Sequence, residues 1–254
     1  MSTRLTTSAA QSLQADGYCR FRLTDSDGGL ERLQAAVDRL PVDPYAPTAN
    51  RHRRYSNGIL LPWCRRIEWM PTRMGPHGPY SEYYQGDFNP EYLSMTRRLV
   101  PFEELVLNDP FLQEIVWHDF DLTFWNEAQL IRPFVVGVHM VRLLVTTPGD
   151  KAISSPNHLH QDGEPFTFVH LLKRDNAVGC MTAVGIPAVA GKMPEEVDPE
   201  TIHTQFELLE PLESYGVYDP KVSHYVSQLE RGEADRPAVR AALLTDFTPL
   251  VPLI

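Results

Sequence analysis

The chain has 254 residues, of which 43% are hydrophobic and 22% charged, a composition typical of a globular protein and not of a disordered one. Its formal net charge of −10 argues against a nucleic-acid partner or an anionic membrane surface, because both need a basic surface on the protein. No segment has the length and uninterrupted apolarity of a membrane span, and the polar first residues lack the apolar stretch of a signal peptide.

The first 120 residues are predicted to be rich in helices, because apolar side chains recur there at helical spacing. Helices are predicted at the start of the region 8–18 and over 30–40 and 99–117, with a strand at 18–23. Residues 41–80 contain seven prolines, which favour turns, so this stretch is predicted to be irregular.

From about residue 122 the pattern changes to strands. A long β-branched run covers residues 134–145 and is bounded by prolines. Shorter strands are predicted over 166–172, 180–184, 204–209, 216–218, 222–226 and 239–247, with a solvated loop at 185–200. Several short strands separated by turns favour a sandwich or barrel supported on one side by helices, and they argue against a βαβ sheet.

Residues 158–163 read His-Leu-His-Gln-Asp-Gly and place His160 and Asp162 two positions apart in a predicted β-rich segment. Side chains at positions i and i+2 of a strand point the same way, so the imidazole and the carboxylate would enter one space. Such a pair is two thirds of the 2-His-1-carboxylate set that holds Fe(II). A His–Asp hydrogen bond in a turn, or an N-cap pair before a helix, is the alternative interpretation.

Three histidines follow Asp162 in the chain and are candidates for the third ligand. His170 lies in an apolar strand and is interpreted as a core or hydrogen-bonded histidine, while His203 follows an acidic loop and fits the surface. His224 would share one strand face with two valines, as expected in a partly enclosed metal cavity. We therefore take His224 as the candidate third ligand.

Arg240 is a single charged residue on a strand that is otherwise apolar. A buried guanidinium is unfavourable unless it meets an anion, and arginine can bind a carboxylate through two hydrogen bonds. Ala242 beside it leaves room for a small molecule. A partner Asp or Glu within the protein, or an exposed strand end, is the alternative interpretation.

An HxD pair, a distant histidine and an arginine on the next strand together resemble the Fe(II)/2-oxoglutarate-dependent dioxygenases. Residues 158–179 are more closely similar to the bacterial free amino-acid hydroxylases, which include the isoleucine dioxygenases and show HxDG followed by R-x-N-x-x-G-G. The resemblance covers about residues 130–250 and extends to the strand at 138–142 and the last strand at 240–247.

The resemblance implies a mainly β fold with flanking helices, built on a double-stranded β-helix (jelly-roll, cupin-like) barrel. We expect one dioxygenase domain over residues 1–254, with a helix-rich support over about 1–120 and the barrel core over about 122–254. The chain departs from the family pattern at Gly179-Cys180, where a Gly-Gly pair is usual, and at Tyr218-Asp219, where Asp-Asp is usual.

Carried over position by position, the family's iron ligands fall on His160, Asp162 and His224. The arginine that binds the distal carboxylate of 2-oxoglutarate falls on Arg240. Arg142 is a second candidate for the same pocket, and a structural ion pair is an equally weighted alternative.

The implied reaction is hydroxylation of an aliphatic C–H bond of a small amino acid or amino-acid derivative. Molecular oxygen and 2-oxoglutarate are consumed, with succinate and CO2 as co-products. The amino-acid carboxylate needs a cation, and Arg54 in the basic run 51–54 is the candidate, although such a run is more often a solvated face. A non-catalytic or 2-oxoglutarate-independent metal-binding cupin-like protein is the competing hypothesis.

The three cysteines are an odd number and show no CxxC spacing, which indicates free thiols. This pattern predicts a cytoplasmic protein. Assembly as a homodimer is left open.

Overall fold

The structure is a computed structural model, and it describes residues 2–250. The helices within this range are α1 (Ser2–Asp16), α2 (Gly29–Val37), α3 (Glu104–Leu107), α4 (Pro110–Leu122) and α5 (Glu127–Leu130). The strands are β1 (Tyr18–Arg22), β2 (Arg51–Leu61), β3 (Arg66–Trp69), β4 (Arg73–Gly75), β5 (Gly78–Tyr83), β6 (Arg97–Leu99), β7 (Phe134–Val145), β8 (Lys151–Ala152), β9 (Phe166–Asp175), β10 (Ala177–Gly179), β11 (Thr182–Gly185), β12 (Ile202–Phe206), β13 (Glu213–Tyr218), β14 (Ser223–Val226), β15 (Leu229–Arg231) and β16 (Ala238–Pro249).

The strands form one large antiparallel sheet and three small ones. The large sheet has seven strands in the order β1-β13-β9-β16-β7-β2-β3. The small sheets have the orders β12-β11-β14, β10-β15-β8 and β4-β5-β6. Among the residues that the structure describes, no strand pairing closes these sheets into a barrel. The predicted mainly β fold with flanking helices is confirmed.

The two faces of the seven-stranded sheet have different neighbours. On the outer face, residues such as Met140 and Leu243 join the main hydrophobic core, which includes side chains of α1, α2 and α4. On the inner face, residues such as Val141 and Ala242 line a cavity. Because side chains alternate along a strand, β7 and β16 place every second residue in each environment.

Local chemistry explains where α4 begins. The Asp109 side chain accepts a hydrogen bond from the backbone N–H of Phe111, and Pro110 occupies the first turn, where its missing N–H costs nothing. One face of α4 then buries Leu112, Ile115 and Val116 against the sheet. This packing fixes the outer face and leaves the inner face available for a site.

The predicted irregular stretch at 41–80 is wrong for its central part. Residues 51–61 form β2, which pairs with both β7 and β3 inside the large sheet. The prolines are spaced around this strand without interrupting it, since Pro47 precedes it and Pro62 follows directly. The large sheet therefore takes strands from both sides of residue 120.

Other elements lie close to their predicted positions. The predicted strand at 134–145 coincides with β7, whereas the helical prediction at 99–117 becomes the end of β6, the short α3 and then α4. Among the described residues no helix is long and apolar enough to cross a membrane.

Candidate functional site

The structure brings the three predicted metal-binding residues together. His160 and His224 face each other through two backbone hydrogen bonds of 2.9 and 2.8 Å, although they lie 64 positions apart in the chain. Asp162 follows in a loop, with one carboxylate oxygen 3.5 Å from His160 Nε2 and the other 3.4 Å from His224 Nε2. One ligand atom from each residue lies within 4.8 Å of the other two, so the cluster could hold a metal ion.

The route by which Asp162 reaches the cluster differs from the predicted one. His160 makes an isolated bridge with His224, and the residues after it are not in a strand. The Asp219 carboxylate accepts hydrogen bonds from the backbone N–H groups of Asp162 and Gly163, at 2.8 and 2.9 Å, and so fixes the loop. Asp219, noted in the sequence only as a departure, is thus a positioning residue for Asp162.

The loop also needs its glycine. Gly163 has a φ of +86°, which L side chains rarely adopt, and a Cβ there would collide with the Phe88 ring. Gln161 donates to the backbone oxygen of Asp219 over 2.6 Å, so it points away from the cluster. The short turn therefore directs the Asp162 side chain toward the two histidines and the Gln161 side chain away from them.

A carbonyl group orients His160. Its Nδ1 lies 2.8 Å from the backbone oxygen of His158, and since a carbonyl can only accept, Nδ1 carries the proton. The other nitrogen, Nε2, is left with a free lone pair facing Asp162. A hydrogen bond of this kind fixes the ligating tautomer in metal sites.

The charges within the cluster suit a cation. Burial raises the pKa of Asp162, but the imidazoles of His224 and His160 outweigh burial and hold the pKa below its ordinary value. Burial lowers the pKa of His224 to about 4, so its imidazole is neutral near pH 7. Burial also lowers the pKa of His160, but Asp162 outweighs it, and the net shift is upward. Two imidazole nitrogens and one carboxylate are a donor set that suits Fe(II) and leaves coordination positions open.

Arg240 lies on the inner face, 6% exposed, and lines the same cavity as the cluster. Its Nε and Nη2 atoms are buried without a hydrogen-bond partner in the described part of the chain. The internal Asp or Glu partner considered above is not observed within 4.0 Å among those residues. A buried guanidinium with unsatisfied donors fits the carboxylate of a bound small molecule.

The cavity contains about 880 Å³ of empty space, a volume that includes the open solvent at its mouth. Val141, Ala242 and Leu244 form apolar walls on the inner face between Arg240 and the far end of the cavity. The site therefore combines a cluster that could hold a metal ion with an unpaired cation at the same cavity.

The structure does not bring Arg54 and Arg142 into the cavity, because strand alternation places both on the outer face. Arg142 donates to the backbone oxygens of Asp38 and Leu40 at 3.2 and 3.4 Å, just beyond the end of α2. The Arg54 guanidinium donates to the Pro101 oxygen over 2.6 Å and also contacts an exposed carboxylate. From the same basic run, Arg51 and Arg53 line the cavity.

Several cavity residues were missed in the sequence. They are charged or aromatic groups from six separate segments: Arg53, Tyr83, Arg97, His139, Glu164 and Asp246. For His139 and Asp246 a signal was present, since each is a polar residue at an inner-face position of a long apolar strand. No comparable signal exists for Arg97, which lies on the three-residue β6.

Comparison with known proteins agrees with this site. A family model described as 2OG-Fe dioxygenase matches residues 34–246. The chain belongs to this family. The resemblance stated from the sequence, a Fe(II)/2-oxoglutarate-dependent dioxygenase with those two cofactors, is confirmed at the level of the family.

Two curated relatives are amino-acid oxygenases by name. L-isoleucine-4-hydroxylase of Bacillus thuringiensis is 31% identical over 171 residues, which cover 66% of this chain and 65% of that protein. The 3(1)-hydroxy-L-isoleucine 4-dioxygenase of Pantoea ananatis is 28% identical over 221 residues, covering 86% and 80%. The chain thus matches just under two thirds of the length of the first relative.

A solved structure shares the fold. The crystal structure of IDO from Bacillus thuringiensis has a TM-score of 0.74 and 22% identity, covering 99% of this chain and 98% of that one. The predicted double-stranded β-helix class is confirmed by this similarity.

Proposed function

We propose that this protein hydroxylates an aliphatic C–H bond of a small amino acid or amino-acid derivative. The reaction consumes 2-oxoglutarate and O2 and releases succinate and CO2. The observation that carries the proposal is that the His160–Asp162–His224 cluster and the unpartnered guanidinium of Arg240 face one cavity. The names of the two curated relatives support an amino acid as the substrate class.

In this proposal His160, Asp162 and His224 bind Fe(II), and Arg240 binds the distal carboxylate of 2-oxoglutarate. Bound iron, together with 2-oxoglutarate and O2, supplies the oxidising power for an unactivated C–H bond. The protein contributes orientation: Asp219 holds the loop of Asp162, and the apolar inner face around Ala242 keeps water from the reacting groups.

A metal-binding protein that does not use 2-oxoglutarate is the competing hypothesis, and Arg240 discriminates between the two. Such a protein would need no cation there, and a structural arginine would be paired with a carboxylate of its own. The buried Nε and Nη2 atoms of Arg240 have no partner within residues 2–250, which favours a diacid cosubstrate.

Location, domain organisation and assembly are part of the same proposal. Cys19, Cys64 and Cys180 are free thiols, which supports a cytoplasmic protein. One domain over residues 1–254 stays a prediction, and so does a homodimer, which light scattering of the purified protein would test.

The test is a coupled assay of the purified protein with Fe(II), 2-oxoglutarate and a panel of free amino acids. We expect succinate and a product 16 mass units heavier than one of the amino acids, in equal amounts, and loss of both in Asp162→Ala. His203→Ala is the matched control, because His203 is an exposed histidine outside the cavity. Undiminished coupled turnover in Asp162→Ala would contradict the proposal.

A further inference from the structure

The cavity has an excess of positive charge on the side formed by β2 and β6. Arg51, Arg53 and Arg97 all line it, and their one carboxylate partner among the described residues is Asp43, 2.9 Å from Arg51 and 3.8 Å from Arg53. A buried cluster of three guanidiniums with one carboxylate is unfavourable unless another anion joins it.

Arg97 is the least compensated of the three. It is 2% exposed, and among residues 2–250 no carboxylate lies within 4.0 Å of it. Its guanidinium lies 4.6 Å from the Tyr83 ring centre and 4.4 Å from that of Tyr92, and one nitrogen donates to the Gln85 amide oxygen. Its Nε is buried without a partner in the described structure. The guanidinium is therefore held rigidly, with donor capacity left over.

Arg53 is adjacent and similarly unsatisfied. Its Nη2 lies 2.6 Å from His139 Nδ1, and its Nε has no partner in the part of the chain described. Burial, and then the nearby Arg97, lower the pKa of Arg53 to about 10. The two cations repel each other, which a bound carboxylate would relieve.

The opposite side of the same cavity carries two carboxyl groups. Glu164 and Asp246 line it, and neither has a lysine or arginine within 4.0 Å among the described residues. The Tyr83 hydroxyl lies 3.5 Å from the Glu164 carboxyl group. Asp246 accepts from the backbone N–H of Gly137 at 3.2 Å. Asp246 is buried and Glu164 is half-buried, so a bound ammonium group would stabilise the charged form of both carboxyl groups.

His139 connects the two sides without neutralising either. A guanidinium can only donate, so His139 Nδ1 accepts from Arg53, and the protonated Nε2 lies 3.4 Å from the Asp246 carboxylate. Burial, with Arg53 and Arg97 nearby, lowers the pKa of His139 well below its ordinary value, so the ring is neutral. His139 therefore brings no positive charge to Asp246.

We propose that Arg53 and Arg97 bind the carboxylate of the substrate, while Glu164 and Asp246 bind its ammonium group. This inference rests on the proposed function, and it adds which residues hold the two charged groups of a free amino acid. Tyr83 separates the two subsites, with its ring against Arg97 and its hydroxyl toward Glu164. A peptide, an N-acylated amino acid or an amino-acid amide would leave one subsite unpaired.

The test measures binding, so that it does not depend on turnover. Calorimetric titration is done without oxygen on protein supplied with Fe(II) and 2-oxoglutarate, using the twenty standard free L-amino acids. The tightest binder is then compared with its deamino acid, which lacks the ammonium group, and with its carboxamide, which lacks the carboxylate charge. We expect each analogue to bind about 10-fold more weakly or worse, because a buried charge loses its partner.

The variants assign each charge to its subsite. Arg97→Met and Arg53→Met should each reduce the discrimination against the carboxamide and leave the discrimination against the deamino acid unchanged. Glu164→Gln and Asp246→Asn should do the opposite. Arg54→Met and Glu103→Gln are matched controls that remove charges outside the cavity, and neither ratio should change.

The outcomes separate this inference from the proposed function. If an amino acid binds with these ratios but no succinate or oxidised product forms, the proposed function fails and the zwitterion site stands. If turnover occurs while the analogues bind equally well, or the four variants leave both ratios unchanged, the site assignment is overturned. Failure of all twenty amino acids to bind would overturn it as well. Circular dichroism identifies a variant that does not fold, and Arg97→Lys then replaces Arg97→Met.

Discussion

Both faces of the seven-stranded sheet bury polar and charged side chains. Two groups of these side chains, one on each face, differ in how completely their hydrogen bonds are satisfied. On the outer face His170 and Asp119 are fully buried, 2.8 Å apart, and the second ring nitrogen of His170 lies 2.9 Å from the Ser214 hydroxyl. On the inner face Arg240 and Arg53 are nearly as buried, yet both keep N–H groups without a partner in the described structure. On the inner face these buried guanidiniums therefore keep hydrogen-bonding capacity for a ligand, whereas the His170–Asp119 cluster does not.

Neighbouring residues of one strand show the same contrast. Thr245 on β16 points to the outer face and donates to Asp119 over 2.6 Å, which completes a closed network. Asp246, the next residue, points into the cavity and has no lysine or arginine nitrogen within 4.0 Å among residues 8–250. One position along a strand therefore separates a structural polar group from a ligand-binding one.

The largest expected effect breaks the closed network of the outer face. Asp119→Ala should lower the free energy of unfolding by about 3 kcal/mol or more, because His170 and Thr245 both lose their acceptor and each buried unsatisfied group costs about 1–3 kcal/mol. Urea unfolding measures this, with Asp121→Ala as the control, since Asp121 on the same helix is exposed and paired with Arg65. The dissociation constant of 2-oxoglutarate should not change in the folded fraction, and a large change would remove the distinction between the faces.

The corresponding change on the inner face should have the opposite pattern. Arg240→Met should weaken 2-oxoglutarate binding about 30-fold or more, because losing one partner of a buried charge pair costs about 2–5 kcal/mol. The ligand-free protein should be no less stable, since the variant removes an unpaired buried charge. Anaerobic titration and urea unfolding give the two values, with Arg54→Met as the control. A destabilised protein that binds 2-oxoglutarate normally would show that Arg240 is structural.

The three residues of the candidate metal cluster could be selected from the sequence because each carried a local signal. His160 and Asp162 are two positions apart, and His224 and Arg240 are single polar residues between apolar ones. The positions of these residues in the fold depend on long-range pairing, but their residue types alone suggested their chemistry. The assignment of His170 to the core rested on the same kind of signal, and the structure confirms it.

The substrate side of the cavity could not be predicted in the same way. Arg53 and Arg54 differ by one position, so choosing between them required knowing that residues 51–61 form a strand, and the surrounding prolines hid it. Arg97 reaches the cavity because β6 pairs with β5 over three residues, and this pairing has no distinct sequence pattern. Long-range assembly therefore determines this half of the site.

The dependence of stability on pH tests the protonation of Asp246 on the inner face. Its expected effect is smaller than that of Arg240→Met. Burial, together with the Asp162 carboxylate, raises the pKa of Asp246 from its ordinary 3.8 to about 7, with Glu164 and His139 as the other titratable groups facing it. The stabilisation from protonated Asp246 is complete below the unfolded-state pKa and is lost as the pH rises through about 7.

We therefore expect the melting temperature of the metal-free protein to fall between about pH 6 and about pH 8. The fall should be smaller in Asp246→Asn. Each kcal/mol of stability that depends on the Asp246 proton corresponds to about 2–4 °C in melting temperature. Scanning calorimetry at both pH values gives the comparison, with Asp121→Asn as a control for an exposed carboxylate. An identical pH dependence in wild type and Asp246→Asn would show that Asp246 does not retain its proton in the folded state.

The smallest expected effect concerns Arg142, which tests whether an outer-face arginine is purely structural. Arg142→Ala removes two hydrogen bonds to the carbonyl groups of Asp38 and Leu40, where a cation also stabilises the end of α2. The free energy of unfolding should fall by about 0.5–1 kcal/mol, the usual worth of a charge at a helix terminus. The dissociation constant of 2-oxoglutarate should stay at the wild-type value in anaerobic titration. If it rose as far as in Arg240→Met, the outer face would contribute to ligand binding and the contrast between the two faces would fail.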